Sequence, residues 1–336
     1  MFTLLWLGAL IVVATGLVWR GSLYLEGAAD RLAVYLGMPA IVQGSIIAAL
    51  GSSFPELASV VIATLRYGEF ELGIASIVGS AVFNVLVIPG IAALVRDESL
   101  ESSRGLVYRE AQFYIISVAT LLLTFSLAVI YYPAPDAEMV GEFTRPLALF
   151  PIALYGLYLF IQYQETADYQ PDADAAGVSP LKQLALLGIG LGLILVGVEL
   201  LVNAAVDLGD YFGTPSFLWG LTVIAAGSSL PDAIISVRAA RSGDSAVSLA
   251  NVFGSNIFDL LVAVPTGVLI AGTTDVDFAV AAPLMAFLVV ATIIVFTAAR
   301  TAFELTDREG WLLLAVYSVF VGWMLLESTG VTSVVL

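Results

Sequence analysis

The sequence contains no cysteine and no histidine, and Lys182 is its one lysine. Without cysteine there are no disulfides and no thiol chemistry. Without histidine the commonest general base and metal ligand is missing. Bases of any kind are few: 12 Lys and Arg stand against 28 Asp and Glu, for a net charge of −16. So acidic a chain is not expected to bind nucleic acid. Most of the acids fall in predicted connectors and read as an acidic solvated surface; the excess of acid with almost no lysine suggests a halophilic prokaryote. What is plentiful is apolar. The 336 residues are 60% hydrophobic with mean hydropathy +1.00, whereas soluble domains are roughly half apolar. The chain is expected to cross the lipid bilayer many times.

The first apolar run, 2–18, has no positive segment ahead of it, and Arg20 follows it. It reads as a first transmembrane helix and not as a signal peptide. Further spans are predicted at 37–64, 70–94, 113–131 and 147–163. The stretch 164–180, with Glu165, Asp168, Asp172 and Asp174, reads as an acidic linker. Spans resume at 184–206, 213–240, 246–270, 278–298 and 311–326. At roughly 20 residues per span this makes about ten. The expected fold is an all-α membrane protein of two five-helix units, 1–163 and 181–336.

Two stretches, 44–84 and 220–259, are copies of one pattern. Gly51-Ser52-Ser53-x-Pro55-Glu56 matches Gly227-Ser228-Ser229-x-Pro231-Asp232. Gly79-Ser80-x-x-Phe83-Asn84 matches Gly254-Ser255-x-x-Phe258-Asp259. Ser228 and Asp232 are four residues apart, as are Ser255 and Asp259, so each pair shares a helix face. A carboxylate inside an apolar helix is costly unless it lines a cavity or binds something. Paired, Gly/Pro-interrupted membrane segments that carry such acids point to a transporter binding site.

The basic residues give an orientation. Taking connectors alternately, one side collects Arg20, Arg31, Arg96, Arg104, Arg109, Lys182, Arg238, Arg241, Arg300 and Arg308, and the other Arg66 and Arg145. The positive-inside rule then places both termini outside and the linker in the cytoplasm of a multi-pass cell-membrane protein. With five spans per half, the second copy is inserted upside down relative to the first. That is an inverted repeat, which brings two interrupted helices together near the bilayer midplane.

Pro55 and Pro231 lack the amide hydrogen that would pair with the carbonyls of Gly51 and Gly227. The helices are expected to break there, freeing carbonyls at Ala49–Gly51 and Ala225–Gly227 to face a cavity. Hydroxyls of Ser52, Ser53, Ser228 and Ser229 stand beside them, and Glu56 and Asp232 supply charge. An all-oxygen set of this kind suits hard cations such as Ca²⁺ and Na⁺ and not zinc or copper. Gly79 and Gly254 are equally well read as close helix packing; for Asn84 a packing hydrogen bond is the lesser reading. Glu199, in the sixth span, has no acidic counterpart in the first half, and its role stays open.

At these residues the sequence resembles the cation/Ca²⁺ exchanger superfamily, whose two repeats carry G-[ST]-S-x-P-[ED] and G-S-[NA]-x-F-[ND]. GSSFPEL with IVGSAVFN, and AAGSSLPD with GSNIFD, are similar to the K⁺-dependent Na⁺/Ca²⁺ exchanger branch. By position the resemblance implies ion ligands at Ala49, Ser52, Ser53, Glu56, Ser80, Asn84, Ala225, Ser228, Ser229, Asp232, Ser255 and Asp259. It also implies that the first and sixth spans slide against the rest during alternating access. Ala81 stands where Asn256 stands in the second copy, which breaks the symmetry. The linker is too short for a large regulatory domain. The expected function is a secondary antiporter exchanging Na⁺ for Ca²⁺, with K⁺ co-transport an open question and Ca²⁺/H⁺ exchange the alternative. No cofactor is expected, and the working unit is expected to be a monomer. An intramembrane aspartyl protease is set aside because its GxGD motif is missing, so no enzyme activity is expected. A channel is set aside because an inverted repeat with interrupted helices favours alternating access.

Overall fold

The computed structural model describes residues 2–36, 48–95, 100–101, 110–135, 137–166, 179–242, 245–301, 303–328, 331–332 and 334. Almost all of them are helical, as lipid demands of a backbone that must satisfy its own hydrogen bonds. The helices are α1 (Phe2–Tyr35), α2 (Ala48–Ile62), α3 (Phe70–Leu94), α4 (Ala111–Tyr131), α5 (Arg145–Thr166), α6 (Pro180–Phe212), α7 (Ser216–Trp219), α8 (Ala225–Arg241), α9 (Ser245–Phe258), α10 (Val264–Ala271), α11 (Phe278–Arg300) and α12 (Asp307–Ser328). α7 and α8 are joined end to end through 220–224, and α9 and α10 through 259–263, so the twelve helices make ten rods. Nine rods among the described residues are long and apolar enough to cross a membrane. The start of the second predicted span, the basic residues Arg96, Arg104 and Arg109, and nearly all of the linker lie outside the described residues.

Two spans are longer than expected. The first was predicted to end near residue 18, but α1 continues to Tyr35, giving 34 residues. At about 1.5 Å per residue such a helix exceeds the roughly 30 Å hydrocarbon core. Arg20 is therefore not in a connector: it lies within α1, its guanidinium 4.8 Å from the centre of the Tyr24 ring. α6, predicted over 184–206, likewise runs for 33 residues and stops at Gly213, whose φ of 65° supplies a left-handed cap. The charged residues that suggested connectors simply ride on longer helices.

α1 and α6 pack against each other through small residues, which let membrane helices approach closely. A Cβ on Gly21 would stand 2.8 Å from the Gly190 carbonyl oxygen and 2.8 Å from the Ile194 side chain. A Cβ on Gly197 would stand 2.8 Å from the Ala14 carbonyl oxygen and 2.8 Å from the Val18 side chain. Laying Glu56 on Asp232 lays Gly21 on Gly197, Ala14 on Gly190 and Val18 on Ile194. The two contacts are thus one contact repeated by a pseudo-two-fold axis.

The connectors repeat the same relation. β1 (Leu100–Glu101), between α3 and α4, pairs antiparallel with β4 (Glu304–Leu305), between α11 and α12. β2 (Val140–Phe143), between α4 and α5, pairs antiparallel with β3 (Thr274–Asp277), between α10 and α11. Exchanging the halves converts one ribbon into the other. Each ribbon takes one strand from each half, as inverted repeats that share an interface require.

The prolines do not break their helices. Pro55 lies inside α2 and Pro231 inside α8, and both helices run on. Each proline removes one backbone hydrogen bond, but the packed neighbours hold the flanking turns. The irregularity sits elsewhere: among the described residues, wider turns with hydrogen bonds five residues long span 63–67, 220–224 and 259–263. Such turns recur at functional sites. The last one begins at Asp259.

Candidate cation site

The acid-bearing helices meet in the centre. α3 packs lengthwise on α8, and α2, α8 and α9 close around it. α3 approaches the turn before α8 so tightly that a Cβ on Gly79 would lie 2.2 Å from the Leu221 carbonyl oxygen. Gly254, its counterpart, would meet nothing within 4 Å among the described residues. Among the described residues, the packing role considered for both glycines is seen for Gly79.

Glu56 and Asp232 are each 1% exposed, and Ser53, Ser80, Asn84, Ser229 and Asp259 are completely buried. Ser52, Ser228 and Ser255 are buried as well. Ser80 and Ser229, one from each copy, share a hydrogen bond of 2.6 Å between hydroxyls. Both hydroxyls lie 3.4 Å from Glu56 Oε1, which accepts the one proton their mutual bond leaves free, and Ser228 also flanks this carboxylate. Asp232 has the mirrored surroundings: Ser255 and Ser52 flank it. Asn84 Nδ2 donates to Asp232 Oδ2 at 3.3 Å. Ser53 donates to the Ser255 carbonyl oxygen at 3.5 Å and flanks Asp259. Each main acid is thus surrounded by hydroxyls drawn from both copies. Of the two alanine positions, Ala225 gives its carbonyl to the Ser228 hydroxyl at 3.3 Å. Ala49 lies in the first described turn of α2, and no described contact joins it to the acids.

The site carries more acceptors than donors. Glu56 Oε2, Asn84 Oδ1, Asp232 Oδ1 and both Asp259 oxygens are buried without a hydrogen-bond donor among the described residues. Leaving one buried polar atom unpaired costs about 1–3 kcal/mol, and more when it is charged. Five such oxygens on Glu56, Asn84, Asp232 and Asp259 form an electron-rich set whose natural complement is a cation. Among the described residues no three acids converge on a single point. A cation here would be held by a mixed set of carboxylate, amide and hydroxyl oxygens, which suits Ca²⁺ and Na⁺.

The copies differ where the last polar residue falls. Asn84 can donate to Asp232. By the repeat, Asp259 faces Glu56, and two carboxylates have nothing to donate to each other when ionised. Asn256, where the first copy has Ala81, adds a brace: it accepts from Asn84 Nδ2 at 3.0 Å and donates to the Ala81 carbonyl at 3.3 Å. Its amide also lies 3.5 Å from the Tyr114 hydroxyl. The sequence marked Asn256 as a departure from symmetry without giving it this work. Tyr114 gave no signal, because an aromatic in an apolar helix looks like packing.

Glu199 finds its place away from this centre. Its Oε1 accepts from Arg66 Nε and from the Tyr67 hydroxyl, both at 2.9 Å. A separate cavity of about 560 Å³ opens near the β2–β3 ribbon, bordered by Glu69, Glu71, Ser216 and Asp275.

Comparison with known proteins places these features in context. The family profile described as "Sodium/calcium exchanger protein" matches residues 6–164 and 182–326. CaxA of Alkalimonas amylolytica, named as an antiporter, is 32% identical over 78% of this chain and 81% of its own. Among solved structures, the sodium-calcium exchanger NCX_Mj superposes with a TM-score of 0.62 at 23% identity, covering 94% of this chain and 98% of that one. The H⁺/Ca²⁺ exchanger CAX superposes with a TM-score of 0.67 at 14% identity, over 96% and 88% respectively. The fold is shared by proteins named for different coupling ions.

Proposed function

The chain belongs to the sodium/calcium exchanger protein family, a family of transporters, and from that premise we propose that it exports Ca²⁺ across the cell membrane in exchange for entering Na⁺. The observation that carries this reading is the buried oxygen cage between Glu56 and Asp232, built from hydroxyls of both inverted copies. Two carboxylates balance the charge of one Ca²⁺, which a low-dielectric site requires. The ligands we assign are the oxygens of Ser52, Ser53, Glu56, Ser80 and Asn84 and of Ser228, Ser229, Asp232, Ser255 and Asp259, with the Ala49 and Ala225 carbonyls. They all come from one chain, so a monomer suffices.

Alternating access follows from the repeat. The pair α1–α6 is held to itself by Gly21, Gly190 and Gly197, and it moves as a unit past the core. Residues 1–163 and 181–336 are the two halves, joined by a cytoplasmic linker with both termini outside. The ribbons agree with this arrangement, because β1 and β4 then share one face and β2 and β3 the other.

K⁺ enters through Asp259. With Glu56 and Asp232 neutralised by Ca²⁺, an ionised Asp259 leaves one negative charge, which one monovalent cation balances. An uncompensated charge at this depth is expensive. The alternative is Ca²⁺/H⁺ exchange, in which a proton takes that place.

The deciding measurement is ⁴⁵Ca²⁺ uptake into proteoliposomes under imposed Na⁺, K⁺ or pH gradients. An outward Na⁺ gradient drives uptake if the reading is right; uptake that follows pH and ignores Na⁺ replaces it with the proton alternative. Orientation is tested separately. Cysteines placed at Asp172 and Ala137 of this cysteine-free chain label from opposite sides, and labelling from one side overturns the topology.

A further inference from the structure

The helices of the α1–α6 pair each carry an acid that is partly buried, Glu26 on α1 and Glu199 on α6, and the two are in opposite circumstances. Glu199 on α6 is neutralised by Arg66 and bonded to Tyr67. Glu26 on α1 makes no hydrogen bond or ion pair among the described residues, and it is half-buried. It lies against the first glycine of the α2 motif: a Cβ on Gly51 would stand 3.3 Å from Glu26 Cα, 3.4 Å from its Cβ and 3.7 Å from its Cγ. Gly51 is one residue from Ser52, which flanks Asp232. The charges acting on Glu26 are those of Asp30 and Asp232. Asp30 is one helical turn further along α1, on the same face, and is exposed. Three carboxylates therefore descend in order of burial, from Asp30 at the surface through Glu26 to Asp232 at the buried cage.

The other half of the molecule has no such ladder. Laying Glu56 on Asp232 lays Glu26 on Val202, which is completely buried in an apolar cluster with Ala14, Val18 and Leu25. A structural acid would gain a donor or a base, as Glu199 has done. A carboxylate kept half-wet, without a partner among the described residues and between water and a cation cage, is arranged to hold a cation briefly.

We propose that Glu26 is a relay carboxylate through which cations pass between water and the Asp232 side of the cage, at one face of the membrane only. The identity of the cation rests on the Ca²⁺ reading above; the relay itself does not. The first test compares Ca²⁺ dependence at each face in oriented proteoliposomes. Glu26→Gln raises the apparent KM for Ca²⁺ about tenfold at the α1-side face, the size expected when a focusing charge is lost from a charged cleft. The opposite face is unchanged, Glu26→Asp restores most of the loss, and equilibrium ⁴⁵Ca²⁺ binding persists. No change at either face, or equal changes at both, overturns the proposal.

The second test needs no Ca²⁺ transport. Glu26→Cys supplies a single thiol, to be modified by cationic or anionic methanethiosulfonates from each side. The relay predicts modification from one side only, about tenfold faster with the cationic reagent because Asp30 and Asp232 flank the position. A thiol that is sealed off, or indifferent to reagent charge, overturns the relay. Wild-type protein that moves no Ca²⁺ while the thiol shows the charge preference sinks the Ca²⁺ reading and leaves the relay standing.

Discussion

The two copies of the motif share a backbone plan and diverge in what they do with it. Both set a glutamate or aspartate one residue after a proline, and both surround it with hydroxyls from the two copies. Yet the first copy ends in Asn84, which donates to Asp232, while the second ends in Asp259, whose oxygens have no hydrogen-bond donor among the described residues. The first uses Gly79 to bring two backbones together; in the second Gly254 has no close neighbour among the described residues. A duplicated scaffold can therefore keep a symmetric cage for the principal charge while specialising its margins.

The sharpest test of the shared part is charge removal at the paired acids. Glu56→Gln and Asp232→Asn each abolish Ca²⁺ flux, at least about 100-fold, because losing half the balancing charge of a buried divalent cation costs several kcal/mol. The variants stay folded and inserted, checked by monodisperse elution in detergent. Near wild-type flux in either would remove that residue from the cage.

The glycines come next, and here the copies should part. Gly79→Ala drives a methyl into the Leu221 carbonyl and costs about 1–3 kcal/mol or more through overpacking. Gly254→Ala changes stability by no more than about 0.5 kcal/mol, as for a site without close neighbours. Thermal unfolding of the two variants in detergent measures the difference directly. Equal losses would show the glycines to be equivalent after all.

Asp259 tests the divergent margin. At a fixed Na⁺ gradient, wild-type Ca²⁺ flux rises several-fold with K⁺, and Asp259→Asn removes that dependence, as expected if one residual charge needs one monovalent ion. Flux indifferent to K⁺ in the wild type refutes the assignment.

The smallest effect belongs to the α6 acid. Arg66 is 68% exposed on its side chain, so breaking its pair with Glu199 by Arg66→Gln costs only about 0.2–1 kcal/mol. A melting shift of a few degrees at low salt, fading at high salt, is the expected reading. A large shift would make this pair a structural anchor.

Much of this was legible in the sequence because the chemistry is local there. Hydrophobic runs announce spans, and a carboxylate four residues from a serine fixes a shared helix face whatever the tertiary structure does. The helix ends were less legible. Arg20, Glu26, Asp30 and Arg31 together look like a connector, and only packing against α6 reveals that α1 passes straight through them. The effect of Pro55 and Pro231 was misjudged for a related reason: propensity counts the lost hydrogen bond, but the bundle holds the remaining turns in place. Glu26 was overlooked because its meaning lies in what it touches. Gly51 and Asp232 are far from it along the chain, and no spacing rule links them. Asn256 was visible as a broken symmetry, but its bond to Asn84 needs two helices from different halves.

The two mixed ribbons bear on ancestry. Since β1 needs β4 and β2 needs β3, neither half can complete the closing sheet at either face by itself. A gene for one half would have to furnish two copies lying in opposite orientations in the same membrane. Joining the halves in one chain fixes their ratio and their relative orientation at synthesis. It also lifts a constraint that identical subunits cannot escape: a dimer must carry every residue twice. A fused chain can keep an amide at Asn84 and a carboxylate at Asp259, or a carboxylate at Glu26 and a valine at Val202. Inheritance as a single chain is what allows the two faces of this protein to differ.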